Sequence, residues 1–229
     1  MRMRKKPNLS ARVEKCGSLL VREPEAYKGR WLNAFQTEGP GCGELHIELG
    51  CGKGRFTVET AMAMAAAGQG GLIVALEKSA DAMIIAMERA AAQGLSNVRF
   101  VNALAEDLAG FFAPGEVSRL YLNFCDPWPS NRHAKRRLTN RRFLGMYMQI
   151  LRPGGEIYFK TDNLPLFEFS LREFERCGYT LSGVTRDLHK DGPSEEMSDY
   201  ELKFYNQGTP ICKLVALSYG SSIVSPQER

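Results

Sequence analysis

Short apolar runs that alternate with helix-like segments constrain the fold of this chain more than any other feature of its sequence. Five such runs are typical of buried strands: residues 45–49, 72–76, 98–102, 120–124 and 156–160. Helices are expected over residues 55–67, from residue 79 to near residue 94, and over residues 143–151 and 166–177. This alternation predicts an α/β fold, a mostly parallel sheet covered by helices on both faces. Residues 179–186 and 211–217 predict an antiparallel pair that completes seven strands.

Length and composition favour one soluble domain over residues 1–229, with a basic N-terminal extension at about residues 1–40. Hydrophobic residues make up 44% of the chain, and no apolar run is long enough to span a bilayer. The basic start lacks the apolar stretch of a secretory signal, which favours a cytoplasmic protein without membrane contact. The six cysteines form no C-x-x-C pair, so no metal site is expected.

A glycine-rich turn follows the first predicted strand at Glu48-Leu49-Gly50-Cys51-Gly52-Lys53-Gly54. Ligands of doubly wound folds bind at the carboxyl ends of the strands, and glycines there let a ligand approach the backbone. The dinucleotide fingerprint G-x-G-x-x-G is absent, and Glu48 would repel a diphosphate. Glu48 suits an ammonium group, such as that of S-adenosylmethionine, and Glu77 after the second strand can accept from two ribose hydroxyls. A structural turn without a ligand and an NAD oxidoreductase stay as alternatives, the second disfavoured by the glycine spacing.

The fourth predicted strand leads into Asn123-Phe124-Cys125-Asp126-Pro127-Trp128-Pro129. A proline-stiffened loop with an acid and an aromatic residue suits an enzyme that modifies a nucleic-acid base. A run of cations follows this loop at Arg132, Lys135, Arg136, Arg137, Arg141 and Arg142. Basic runs are often only solvated surface, but one beside a candidate catalytic loop favours a nucleic-acid partner.

The chain resembles the bacterial tRNA (guanine-N7)-methyltransferase family over nearly its full length. The resemblance is carried by MRMRKKP, IELGCGKG, YLNFCDPWPSNRHAKRRLT, GGEIYFKTDN, and MSDYELKF followed by GTPI. It implies a class I, Rossmann-like methyltransferase fold, with S-adenosylmethionine as donor and S-adenosylhomocysteine as product. It also implies that the substrate is the variable-loop guanosine of tRNA (position 46).

The resemblance also implies roles for individual residues. Asp126 matches the suspected catalytic residue and a donor-binding acid, and the other matches to donor-binding positions are Glu48, Gly50, Gly52, Gly54, Glu77, Asn102 and Leu104. Matches to substrate-binding positions are Ser130, Asp162, Ser198, Asp199, Tyr200 and Glu201. Matches to an RNA-contacting segment are Arg132, His133, Lys135, Arg136 and Arg137. Tyr200 and Trp128 are candidates for stacking on the base, and packing in the core is the alternative for each.

Two positions depart from the family pattern. Leu104 stands where an acid near the adenine is common, so Asn102 or a main-chain amide is expected to make that contact. Ser130 stands where a substrate-binding lysine is common, which predicts weaker RNA affinity. A methyltransferase of another substrate and a tRNA-binding module without catalysis are the competing functions. The sequence leaves open whether the protein is a monomer or a homodimer.

Overall fold

The computed structural model describes residues 7–35, 43–68, 70–193 and 197–219, and within these ranges seven strands form one sheet. The strand order is β3-β2-β1-β4-β5-β7-β6. The neighbours from β3 to β5 pair in parallel, and β7 runs antiparallel to both β5 and β6. The strands are β1 (Glu44–Leu49), β2 (Gly71–Leu76), β3 (Val98–Val101), β4 (Val117–Asn123), β5 (Leu151–Thr161), β6 (Thr180–Thr185) and β7 (Cys212–Leu217). The predicted α/β class and the C-terminal antiparallel strand are confirmed.

Helices connect the strands and cover the sheet. The α-helices are α1 (Leu9–Lys15), α2 (Trp31–Ala34), α3 (Arg55–Ala66), α4 (Ala80–Ala92), α5 (Leu108–Phe111), α6 (Arg141–Ile150), α7 (Leu164–Arg176) and α8 (Asp199–Asn206). Side chains cap the starts of three of them, because Asn140, Asn163 and Ser198 accept hydrogen bonds from main-chain N–H groups of the first turn.

Two apolar layers hold the sheet between the helices. On one side Trp31, Tyr147 and Phe167 are fully buried with the inner residues of β1, β4 and β5. On the other side Ile84 and Met87 of α4 pack with residues of α3, β2 and β3. Strand β2 is buried on both faces, which explains its continuous apolar sequence, whereas β1 buries the polar residues His46 and Glu48 among its apolar ones.

The described part of the predicted N-terminal extension is integrated into this core. The indole N–H of Trp31 donates to the carbonyl of Phe111, and the indole stacks on Phe112 with 5.4 Å between ring centroids. Arg12 of α1 makes two hydrogen bonds of 2.6 Å to the carboxylate of Glu88 on α4. The basic cluster at residues 2–6 lies outside the described residues.

Several predicted boundaries are wrong. The fifth strand begins at Leu151 rather than residue 156, because the Pro153-Gly154-Gly155 segment joins the sheet and exchanges backbone hydrogen bonds with Ser218. The fourth strand ends at Asn123, and Phe124 turns away with a φ of 52°. Helix α8 was not predicted, because its eight residues are too few to show a clear apolar repeat.

Polar residues gather where β1, β4 and β5 end. Asn123 pairs with Lys160 in the β4–β5 register, and the side chain of Asn123 reaches Glu48 at the end of β1. These three side chains lie on one sheet face, at the edge where parallel strands of such folds bind ligands.

Candidate active site

A cleft of about 520 Å³ lies at the carboxyl ends of β1, β2 and β4. Its walls are the glycine turn, the start of α4, the loops after β3 and β4, and Tyr200 of α8. The volume falls within the range of small-molecule sites. The cleft therefore lies where the sequence predicts donor binding.

The glycine turn forms one wall of the cleft. Gly50 and Gly52 line it, with φ angles of 77° and 57° that side-chain-bearing residues rarely adopt. Gly54 is required for packing, since a Cβ there would lie 2.4 Å from the Cβ of Ala86 on α4. Gly50 and Gly52 thus leave room for a ligand, whereas Gly54 allows the turn to pack against α4.

Glu77 follows β2 and lines the same cleft. Its two carboxylate oxygens accept hydrogen bonds from the main-chain N–H groups of Gly52, at 3.0 Å, and Ser79, at 2.8 Å. Each oxygen keeps a further lone pair. A fixed carboxylate with spare acceptor capacity can take both hydroxyls of a ribose.

Glu48 lies behind the wall of the cleft rather than on its surface. It is 2% exposed, accepts a hydrogen bond from the hydroxyl of Thr57 on one oxygen, and accepts from Asn123 Nδ2 at 3.3 Å on the other. Burial raises the pKa of Glu48 to about 7, and these hydrogen bonds only partly offset that rise. A cation bound nearby would favour the ionised form of this carboxyl.

The loop after β3 presents an apolar surface instead of an acid. Leu104 is half exposed and lines the cleft, and its main-chain N–H donates to the side chain of Asp107 at 3.2 Å. The amide of Asn102 donates to the carbonyl of Glu77 at 2.7 Å. The side-chain N–H of Asn102 and the main-chain N–H of Leu104 are therefore already bonded within the protein, whereas the side-chain oxygen of Asn102 takes no part in these two contacts. Glu106, which the sequence reasoning missed, lines the cleft two residues further on and pairs with Arg142.

The loop after β4 is held in a strained conformation. Phe124 and Trp128 both have positive φ angles, of 52° and 42°, which are uncommon for residues with bulky side chains. Arg137 holds the loop, because its guanidinium donates to the carbonyls of Pro127 and Trp128 at 3.0–3.3 Å. The same group lies 4.4 Å from the ring centroid of Phe169. Arg137, which is expected to contact RNA, is buried in this structure and supports the loop from within.

Asp126 projects from this loop into the mouth of the cleft. Its side chain is 65% exposed and lies 3.3 Å from the ammonium of Lys78, itself 63% exposed. Such an exposed pair is weak, so a substrate can displace it at small cost.

Only one of the four residues expected at 198–201 to bind substrate lines the cleft. Tyr200 is 61% exposed there and belongs to a stack with Phe124 and Phe204, with ring centroids 5.9–6.4 Å apart. Ser198 caps α8, and Asp199 pairs with Arg89 at 2.7 Å.

Glu201, the last of the four residues expected to bind substrate, is buried against β5. Glu201 is 0% exposed and accepts two hydrogen bonds from Lys160 Nζ, at 3.0 and 3.1 Å. His189 Nε2 lies 3.1 Å from the same carboxylate. Glu201 therefore anchors α8 to β5, and this contact positions Tyr200.

The cations after the β4 loop form a short 3₁₀ helix, Asn131–Arg136, at the mouth of the cleft. Arg132, Lys135 and Arg136 are exposed, and the Arg136 guanidinium lies 4.8 Å from the ring centroid of Trp128. His133 is half-buried with its ring 5.7 Å from that of Trp128, which favours packing.

The remaining predicted substrate residues lie near the cleft but do not line it. Ser130 is exposed at the start of the 3₁₀ helix, and Asp162 is exposed directly after β5. Within the described ranges, no group of three or more His, Cys, Asp or Glu side chains could hold a metal ion. No helix in the described parts of the chain is long and apolar enough to cross a membrane.

Comparisons with known proteins agree with this site. A family model described as "Putative methyltransferase" matches residues 43–214. The chain is 40% identical over 218 residues to the tRNA (guanine-N(7)-)-methyltransferase of Geobacillus kaustophilus (strain HTA426), covering 95% of this chain and 97% of that protein. It is 41% identical over 212 residues to the protein of the same name from Geobacillus sp. (strain WCH70), covering 92% and 93%.

Solved structures share the fold at low sequence identity. The 16S rRNA methyltransferase KamB has a TM-score of 0.62 at 16% identity, covering 83% of this chain and 94% of that one. A SAM-dependent methyltransferase from Aquifex aeolicus has a TM-score of 0.54 at 14% identity, covering 93% and 100%. The family model matches most of the chain, and the curated relatives align with nearly all of it. The chain belongs to the tRNA (guanine-N7-)-methyltransferase family.

Proposed function

We propose that the protein transfers the methyl group of S-adenosylmethionine to N7 of the variable-loop guanosine, position 46, of tRNA. The observation that carries this proposal is one cleft lined by a glycine turn and Glu77 together with Asp126, Tyr200 and Arg136. The relatives that cover nearly the whole chain bear the name of this activity. A tRNA substrate also supports a cytoplasmic location, which is part of this proposal.

In the proposed arrangement the donor lies along the glycine turn. Gly50 and Gly52 leave room for the donor, Glu77 accepts from the ribose hydroxyls, and Leu104 offers an apolar surface to the adenine. Glu48 supplies negative charge from behind the wall, near the methionine part.

The target base enters from the other end of the cleft. The exposed ring of Tyr200, backed by Phe124 and Phe204, offers a face on which guanine can stack. Asp126 at the mouth can accept from N–H groups on the guanine edge. Arg132, Lys135 and Arg136 surround this end with positive charge that suits the phosphates of RNA.

The chemistry needs no base. Guanine N7 carries a lone pair and no proton, so the lone pair attacks the methyl carbon in line as the S–C bond breaks. The bonding electrons remain on sulfur, giving neutral S-adenosylhomocysteine, and the positive charge moves to the purine. Catalysis then rests on holding N7 near the methyl carbon and on negative potential from Asp126 around the developing cation.

Mass mapping of an unmodified tRNA transcript after incubation with protein and donor tests the proposal. We expect one added methyl group, on the variable-loop guanosine, and cleavage at that site by chemistry specific for N7-methylated guanine. Donor binding without methyl transfer to any tRNA would favour a module that has lost catalysis. Transfer to another RNA alone would contradict the substrate assignment.

A further inference from the structure

Glu48 is separated from the cleft, although its charge is expected to act on a ligand bound there. Glu48 does not line the cleft, and both of its oxygens already accept hydrogen bonds, from Thr57 and from Asn123. Each oxygen keeps a further lone pair, but Glu48 is 2% exposed, so a donor in the cleft does not reach it directly. A residue between Glu48 and the cleft is therefore better placed to touch the donor.

Asn123 is that residue. It is the last residue of β4, it lines the cleft, and it is 8% exposed. Its Nδ2 donates to Glu48 Oε1 at 3.3 Å, which fixes the orientation of the amide. Its Oδ1 is buried and has no hydrogen-bond partner in the described structure.

A buried acceptor without a partner is uncommon and costly, and in a binding cleft it points to a group that the ligand supplies. The amide oxygen can only accept, so it suits a donor group and disfavours a carboxylate. The carboxyl of Glu48 lies directly behind the same amide, which adds negative potential at the position of Oδ1 when it is ionised. An ammonium meets both conditions, since it carries positive charge and three N–H donors.

We propose that Asn123 determines specificity in the donor site: Oδ1 accepts a hydrogen bond from the α-ammonium of S-adenosylmethionine, while Nδ2 holds Glu48 behind that contact. This inference rests on the donor site proposed above. It assigns the amino-acid end of the donor to the end of β4, and it makes Glu48 act on the ammonium through the Asn123 amide.

Two ligands that differ at the amino-acid end test the proposal by calorimetry. S-adenosylhomocysteine carries the ammonium, whereas 5′-methylthioadenosine keeps the adenosine and sulfur but lacks the amino-acid part. In Asn123→Leu we expect the affinity for S-adenosylhomocysteine to fall at least tenfold and that for methylthioadenosine to stay within twofold. Retained binding of methylthioadenosine also shows that the variant is folded with an intact cleft.

Asn102→Ala is the matched control, because the Asn102 amide holds the backbone of Glu77 at the ribose end. This substitution should lower the affinity for both ligands by a similar factor. Equal losses for both ligands in Asn123→Leu, or no loss for either, would overturn the proposal. A different result would refute the proposed donor site: a Glu77→Ala protein that binds both ligands with unchanged affinity.

The wild-type protein provides a second test that does not depend on the folding of a variant. The side-chain amide signals of Asn123 in ¹⁵N-labelled protein should shift on adding S-adenosylhomocysteine and stay near their free positions with methylthioadenosine. Signals that respond equally to the two ligands, or to neither, would refute the contact.

Discussion

The raised pKa of Glu48 predicts that donor affinity depends on pH. Burial brings the pKa to about 7, so this carboxyl is mostly protonated at pH 6 in the unliganded protein. The donor's positive charge lowers the pKa of Glu48, so binding at pH 6 should release up to one proton. Affinity should therefore rise with pH below pH 7, by at most about tenfold or about 1.4 kcal/mol per unit, and level off above it.

Calorimetry from pH 5.5 to 8, in buffers of different ionisation enthalpy, measures both the affinity and the protons released. Glu48→Gln keeps the size of the side chain and removes the titration, so its affinity for S-adenosylhomocysteine should be nearly constant with pH. Wild-type affinity that is equally flat, with no proton release at pH 6, would refute this reasoning.

The same group should affect the stability of the unliganded protein. Its folded pKa lies above the ordinary value of 4.5, so the native state holds this proton more tightly than the unfolded chain. The stabilisation is complete below about pH 4.5 and is lost as the pH rises through 7. Denaturant titrations should show a fall in the free energy of unfolding across this window that Glu48→Gln removes.

The remaining predictions concern the β4 loop and its basic surroundings. Arg137→Ala removes hydrogen bonds to two loop carbonyls and should lower the free energy of unfolding by about 2–3 kcal/mol, measured by denaturant titration. Arg136→Ala should leave stability nearly unchanged but reduce the slope of log tRNA affinity against log salt by about one. Asp126→Asn should lower the single-turnover rate strongly, and the wild-type rate at saturating donor should be nearly flat from pH 6 to 8.

Each of these has a contradicting outcome. An Arg137→Ala protein as stable as wild type would mean that the guanidinium does not hold the loop. An unchanged salt slope in Arg136→Ala would make that residue merely solvated surface. A wild-type rate that climbs tenfold per pH unit, with the dependence abolished by Asp126→Asn, would indicate proton abstraction.

The sequence predicts the sheet and the glycine turn well because both are encoded locally. Apolar runs such as residues 72–76 are typical of strands buried on both faces, and Gly50 and Gly52 permit a turn that other residues rarely adopt. The acid after the second strand lines the cleft as expected, because parallel strands end at one edge of the sheet.

What the sequence does not predict depends on contacts between distant elements. Arg137 belongs to a basic run, yet it is buried because its guanidinium packs on Phe169 of α7 and donates hydrogen bonds to the loop carbonyls. Glu201 is buried because Lys160 of β5 lies beneath α8. The position of Glu48 behind Asn123 likewise follows from the β1–β4 pairing, which no short motif displays.

A tRNA transcript with 7-deazaguanosine at position 46 shows whether N7 is the atom that receives the methyl group. This substrate lacks the N7 atom but keeps the Watson–Crick edge and the shape of the base, so it should bind with nearly unchanged affinity. Single-turnover assays with labelled donor should show transfer to the guanosine transcript and none to the 7-deaza transcript. Methyl transfer to both transcripts at similar rates would contradict the account, because the reacting atom could not then be N7.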